Sequence, residues 1–311
     1  MQRITKAIIA LVVILLIGTG IIAALNSNKE TTEISIVATN FPAYDFARAV
    51  VGDATNIKML IKPGQETHDF EPTPGDIIDI QKSKLFIYTG GESDEWVNDI
   101  LSTIDNTKTK PLKMTNIVKV VEEETVEGME SETEETEYDE HVWTSIKNAI
   151  EITKHIKNEL IKIAPEKQQI FEENTKNYTD KLANLDSRFQ DVVNSGNRKT
   201  IVFGDRFPFR YFVDDYGLNY FAAFPGCSEQ TEASSKTIAF LIEKIKSEHI
   251  PVILKTEASS DNIAKTIANE TGTRVLVFNA AHNISIDDFK NGRTYADIME
   301  DNLQVLKEAL K

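Results

Sequence analysis

The chain has 311 residues, 41% of them hydrophobic, with 34 Lys and Arg against 49 Asp and Glu, a formal net charge of −15. That is enough apolar material for one large or two medium domains, whereas the acidic balance, uninterrupted by any Lys/Arg tract, excludes nucleic acid as a partner. The single cysteine, Cys227, excludes a disulfide framework and any multi-cysteine metal site, so a metal would have to be held by histidines and carboxylates.

Residues 7–25 are apolar and uncharged, preceded by Arg3 and Lys6 and followed by the polar segment 26–32. Nineteen residues suffice for a helix across a hydrocarbon core of roughly 30 Å. Segment 1–32 is therefore expected to be a membrane anchor or export signal, and the positive charges before it leave the rest outside the cytoplasm. No cysteine near its end could carry an acyl chain.

From residue 33 onward, short Val- and Ile-rich runs alternate with amphipathic stretches, the pattern of α/β units. Strands are expected at 34–38, 57–61, 85–88 and 117–121, and again at 200–203, 220–223, 252–255 and 275–278. Two groups of four predict two lobes, 33–164 and 196–311, each a largely parallel sheet flanked by helices. Between them Phe171, Tyr178, Leu182, Leu185, Phe189 and Val192 follow Pro165 at helical spacing. This predicts one long linking helix over 165–195, about 45 Å in length.

The stretch 122–140 carries eleven acidic residues and neither Lys nor Arg. It reads as a disordered surface loop that could gather cations near a site. In open α/β sheets, ligands bind beyond the carboxyl ends of the strands, and five ligand-type side chains fall there. His68 follows the second expected strand and His141 the acidic loop; Asp205, Glu257 and His282 follow three strands of the second lobe. Two imidazoles with one or two carboxylates make an ordinary shell for Zn²⁺, and an acceptable one for Mn²⁺. Asp205 and Glu257 could equally cap the helices that follow them. His155 and His249 sit on a helical face and before a strand, and Cys227 reads as a turn residue. The chain lacks a His-Glu-x-x-His helix, a Gly-x-Ser-x-Gly elbow and a Gly-x-x-x-x-Gly-Lys loop, so no common hydrolase or nucleotide motif is present.

The order of motifs is a stronger signal. His68-Asp69-Phe70-Glu71-Pro72, Asp139-Glu140-His141-Val142-Trp143, Phe209-Arg210-Tyr211-Phe212 and Thr231-Glu232-Ala233-Ser234 resemble the zinc/manganese substrate-binding proteins of bacterial ABC importers, with a match over essentially 34–311. The resemblance implies a monomeric two-lobed α/β protein with a rigid linking helix and a metal buried between the lobes. It further implies delivery of that metal to a membrane permease, without catalysis. His68 and His141 match the family's first two ligands. The third ligand position falls at Arg206, where Asp205 could substitute. The fourth falls near Asn279, with His282 and Glu257 as natural replacements. Two rival readings remain: a degenerate member acting as a surface adhesion module, supported by Arg206 and Asn279, and a zinc hydrolase with a metal-bound water.

Overall fold

Parallel strands alternate with helices along the chain. The structure, a computed structural model, describes residues 35–52, 56–65, 70–105, 107–129, 138–226, 232–257 and 259–311. Strand β1 (Ile36–Ala38) is wholly buried and leads to Asn40, whose side chain accepts the Ala43 N–H and caps α1 (Phe41–Val51). Gly52, at φ +77°, closes that helix in the left-handed conformation that only glycine adopts at no cost. After β2 (Ile57–Met59), Thr73 and Asp76 form a reciprocal capping box at the start of α2 (Pro74–Lys82). Strand β3 (Leu85–Tyr88), α3 (Trp96–Leu101) and β4 (Lys110–Lys113) complete the first sheet. Its order is β2-β1-β3-β4, with every neighbouring pair parallel.

Ser145 caps α4 (Ile146–Ile163), which buries Ala149, Ile152, Ile156 and Leu160 at helical spacing. A short 3₁₀ turn, Pro165–Lys167, precedes α5 (Gln168–Ser195). The second sheet then follows as β5 (Thr200–Phe207), α6 (Arg210–Tyr216), β6 (Asn219–Pro225), α7 (Ser235–Ser247), β7 (Val252–Lys255), α8 (Asn262–Thr271) and β8 (Arg274–Val277). Helices α9 (Ile286–Lys290) and α10 (Tyr295–Ala309) finish the chain. The sheet order is β6-β5-β7-β8, again parallel, so both halves repeat one topology. Among the described residues no helix is long and apolar enough to cross a membrane.

Helix α5 spans about 42 Å at 1.5 Å per residue and packs against α1, α4 and α10. One apolar cluster accordingly runs from Ile36 and Phe46 through Leu182 and Phe189 to Phe203, Phe278 and Leu306. Polar ties reinforce it. Buried Asp45 of α1 accepts the Tyr295 N–H at 2.8 Å and the Tyr178 hydroxyl at 3.2 Å, and pairs with Arg48. Arg48 in turn donates to the Arg293 carbonyl.

Three expectations need correction. The fourth strand is Lys110–Lys113, not 117–121. Pro111 hides it in the sequence, yet proline is tolerated there because β4 is an edge strand. Residues 117–121 instead form a half-buried connection whose apolar side chains pack on the core. The linking helix begins at Gln168 rather than Pro165. The acidic stretch is not simply a solvated loop: Glu122 bridges Tyr138 in antiparallel fashion, Val126 and Met129 pack against the core, and Asp139 and Glu140 are buried. Residues 130–137, like 1–32, His68 and Cys227, lie outside the described residues.

Candidate metal centre

The segment that leaves the acidic stretch turns sharply inward at Asp139. Its main chain is fixed from the second lobe, where the Tyr211 hydroxyl of α6 donates to the Asp139 carbonyl at 2.6 Å. The Asp139 carboxylate accepts both the His141 backbone N–H (2.7 Å) and the imidazole Nδ1–H (2.8 Å). That contact selects the tautomer in which Nε2 carries the lone pair, as a metal ligand requires. Burial pulls the His141 pKa down, but the adjacent Asp139 carboxylate outweighs it and leaves the pKa above the ordinary imidazole value.

His282 arrives from the other lobe on the turn after Phe278. Its ring centroid lies 4.5 Å from that of His141 at 75°, and 5.0 Å from Trp143. The turn is held on several sides. Trp143 Nε1–H donates to the Ala280 carbonyl at 2.8 Å, and the Tyr295 hydroxyl donates to the Trp143 carbonyl. Asn279 Oδ1 accepts the Ala281 N–H, while Asn302 bonds both the N–H and the carbonyl of Asn279. Ala281 sits at φ +55°, a conformation costly for a residue with a Cβ, and these bonds hold it there.

Glu140 is the third member. One ligand atom from each of Glu140, His141 and His282 lies within 4.8 Å of the others, the one group of three metal-ligating residues among the described residues. A tetrahedral zinc shell of about 2.0–2.2 Å radius places its donors roughly 3.3–3.6 Å apart, so a small contraction on binding completes it. The Glu140 carboxylate accepts the Ser93 N–H at 3.0 Å and the Ser93 hydroxyl. It fits only because position 91 is glycine: a Cβ there would stand 2.1 Å from Glu140 Oε2. A groove of about 490 Å³ beyond β3 and β4 reaches this carboxylate. In the sequence Glu140 reads as the last residue of the acidic run. Its direct adjacency to His141 was the available signal for a ligand.

Two expected ligands stand elsewhere. Asp205 accepts from Thr256 N–H and Thr256 Oγ1 at 2.7 Å each, from Ser259 Oγ and from Arg206 N–H. Four donors use its acceptor sites and tie β5 to the loop after β7. Buried Glu257 accepts the Ala280 N–H at 2.7 Å and the His282 N–H at 3.2 Å. Burial lifts its pKa to about 7, against the lowering effect of these backbone donors. Glu257 thus shapes the turn that carries His282.

Fold and site together define a two-lobed α/β protein with a candidate metal centre between two parallel sheets. The profile of the family described as zinc-uptake complex component A, periplasmic, matches residues 36–309, and the chain belongs to that family. It is 32% identical over 292 residues to the zinc-binding lipoprotein AdcA of Streptococcus pneumoniae, covering 93% of this chain and 58% of that protein. It is 29% identical to the high-affinity zinc uptake system protein ZnuA of Bacillus subtilis, covering 92% and 90% respectively. Among solved structures, the Zn(II)-bound ZnuA-like domain of S. pneumoniae AdcA superposes with a TM-score of 0.74 at 32% identity, over 89% of this chain and 99% of that one. The B. subtilis metal-dependent lipoprotein YcdH superposes at 0.77 with 28% identity, over 90% and 100%. The chain therefore spans little more than half the length of the AdcA proteins it matches.

Proposed function

We propose that this protein is the extracytoplasmic capture component of a zinc importer. It takes one ion between its lobes and passes it to a membrane permease of the ABC class, without catalysing a reaction. The observation that carries this reading is the convergence of Glu140 and His141 from one lobe with His282 from the other. The nitrogen-rich donor set favours zinc over manganese, which prefers carboxylate and water.

We assign His68 as the further ligand. It follows Gln65 by three residues in sequence, and the Gln65 carbonyl accepts a bond from Asn283, the neighbour of His282. Three residues of chain reach about 10 Å. Arg206 cannot ligate a cation, and the Glu140 carboxylate supplies the donor that its position lacks. The N-terminal segment 1–32 holds the protein at the membrane. Native mass spectrometry of the metal-stripped full chain, titrated with Zn²⁺ and Mn²⁺ in competition, tests the reading. One tightly held Zn²⁺, lost in His68→Ala and His141→Ala, supports it; no retained ion at micromolar metal contradicts it.

A further inference from the structure

Close to the metal centre, the two lobes are fastened by a neutral contact that the capture chemistry does not require. Lys62-Pro63-Gly64-Gln65 is a tight turn with proline in the second position and Gly64 at φ +80° in the third, closed by the Gln65 N–H on the Lys62 carbonyl at 3.0 Å. That is the geometry of a type II turn, whose third position favours glycine. The rigid turn offers two carbonyls in the same direction, and Asn283 takes both. Its amide nitrogen donates to Lys62 O at 2.9 Å and to Gln65 O at 2.5 Å, and its Oδ1 accepts the Ile284 N–H. A third interlobe bond runs back from Gly64 N–H to the Ile284 carbonyl at 2.9 Å. Asn283 is buried, so both amide hydrogens are committed away from water.

The placement gives this contact its consequence. Asn283 directly follows His282, and its partner Gln65 precedes His68 by three residues. An ion held by donors from both lobes leaves only when His282 parts from the first lobe, and that separation has to break the Asn283 bonds. We propose that Asn283 is a positioning residue that ties the loop after β2 to the His282 turn and so sets the residence time of the bound ion. The inference rests on the zinc-capture reading. Because the bonded groups are all neutral, the tie should be insensitive to salt.

The test is the release of Zn²⁺ from the loaded full chain into excess chelator, followed by stopped flow. Removing two buried hydrogen bonds should make Asn283→Ala and Asn283→Asp release zinc 10- to 100-fold faster, with association changed less than threefold. Asn283→Ser, which keeps one donor, should fall between these two and the natural protein. A residue that served only folding would lower the melting temperature of the metal-free protein and leave release unchanged. Gly64→Ala perturbs the same tie from the opposite lobe and should also speed release, so it decides the matter should the Asn283 variants fail to fold. Release within twofold of the natural protein in the folded variants overturns the proposal. Wild-type protein that retains no zinc would instead overturn the capture reading itself.

Discussion

At the scale of single residues, one lone pair and its orientation govern the site. Asp139 grips His141 twice and thereby points Nε2 inward. Replacing His141 or His282 by alanine should cost at least about 100-fold in zinc affinity, whereas Asp139→Asn, which leaves the ligand but frees its tautomer, should cost about 10- to 100-fold; competition titration checks both. Protons compete for the same nitrogen. Since the Asp139 carboxylate overcomes burial and holds the His141 pKa above the usual value, zinc affinity should begin to fall above about pH 6.5 and continue to fall as the pH drops. Affinity that stays level from pH 8 to 5.5 would contradict that assignment. Glu257 works through the backbone. Glu257→Gln presents an N–H to a backbone donor where an acceptor is needed, so zinc should bind more weakly with the stoichiometry unchanged, as isothermal titration would show.

The elements bring Glu257 and His282 in just beyond the ends of β7 and β8, while Glu140 and His141 arrive on the segment that leads into α4, so the site was legible beforehand only in part. Seven of the eight strands among the described residues lie where Val- and Ile-rich runs predict them; the inner ones, β1, β3, β5 and β7, are buried parallel strands that must be apolar on both faces. The eighth escaped detection because Lys110-Pro111-Leu112-Lys113, unlike the edge strands β2 and β8, has no run of apolar residues and carries a proline. His282 was singled out by its position after β8, and His141 by the Asp-Glu-His-Val-Trp motif, since the strand expected before it at 117–121 is a connection. Asp205 and Glu257 satisfied the same rule, but nothing in the sequence shows that backbone and hydroxyl donors surround them. Glu140 was concealed by its acidic neighbours. The loop after β3 holds a further charge of this kind. Asp94 accepts the Thr89 and Gly90 N–H groups, and burial together with the nearby Glu140 raises its pKa to about 7. In the unfolded chain it titrates near 4, so the fold binds the proton more tightly. Its contribution to stability is complete below about pH 4 and is lost as the pH rises through 7. Asp94→Asn should therefore flatten the stability of the metal-free protein between pH 4 and 7, as denaturant titrations across that range would show; an unchanged slope would contradict it.

In the whole molecule the two sheets share a core along α5 and are cross-tied by Asp45, Trp143, Tyr211 and Asn283. Residues 34–311 form one compact unit, and calorimetry of the metal-free chain should accordingly show one transition for them rather than two. Zinc that binds only the folded state should raise stability by about 4 kcal/mol at a thousand-fold excess over Kd, and the gain should vanish in His141→Ala. The most direct test is anomalous diffraction at the zinc edge from crystals of the loaded protein. A single strong peak is expected about 2.0–2.2 Å from ring nitrogens of His141 and His282 and from a Glu140 oxygen. A peak elsewhere, or none between the lobes, would contradict that ligand set.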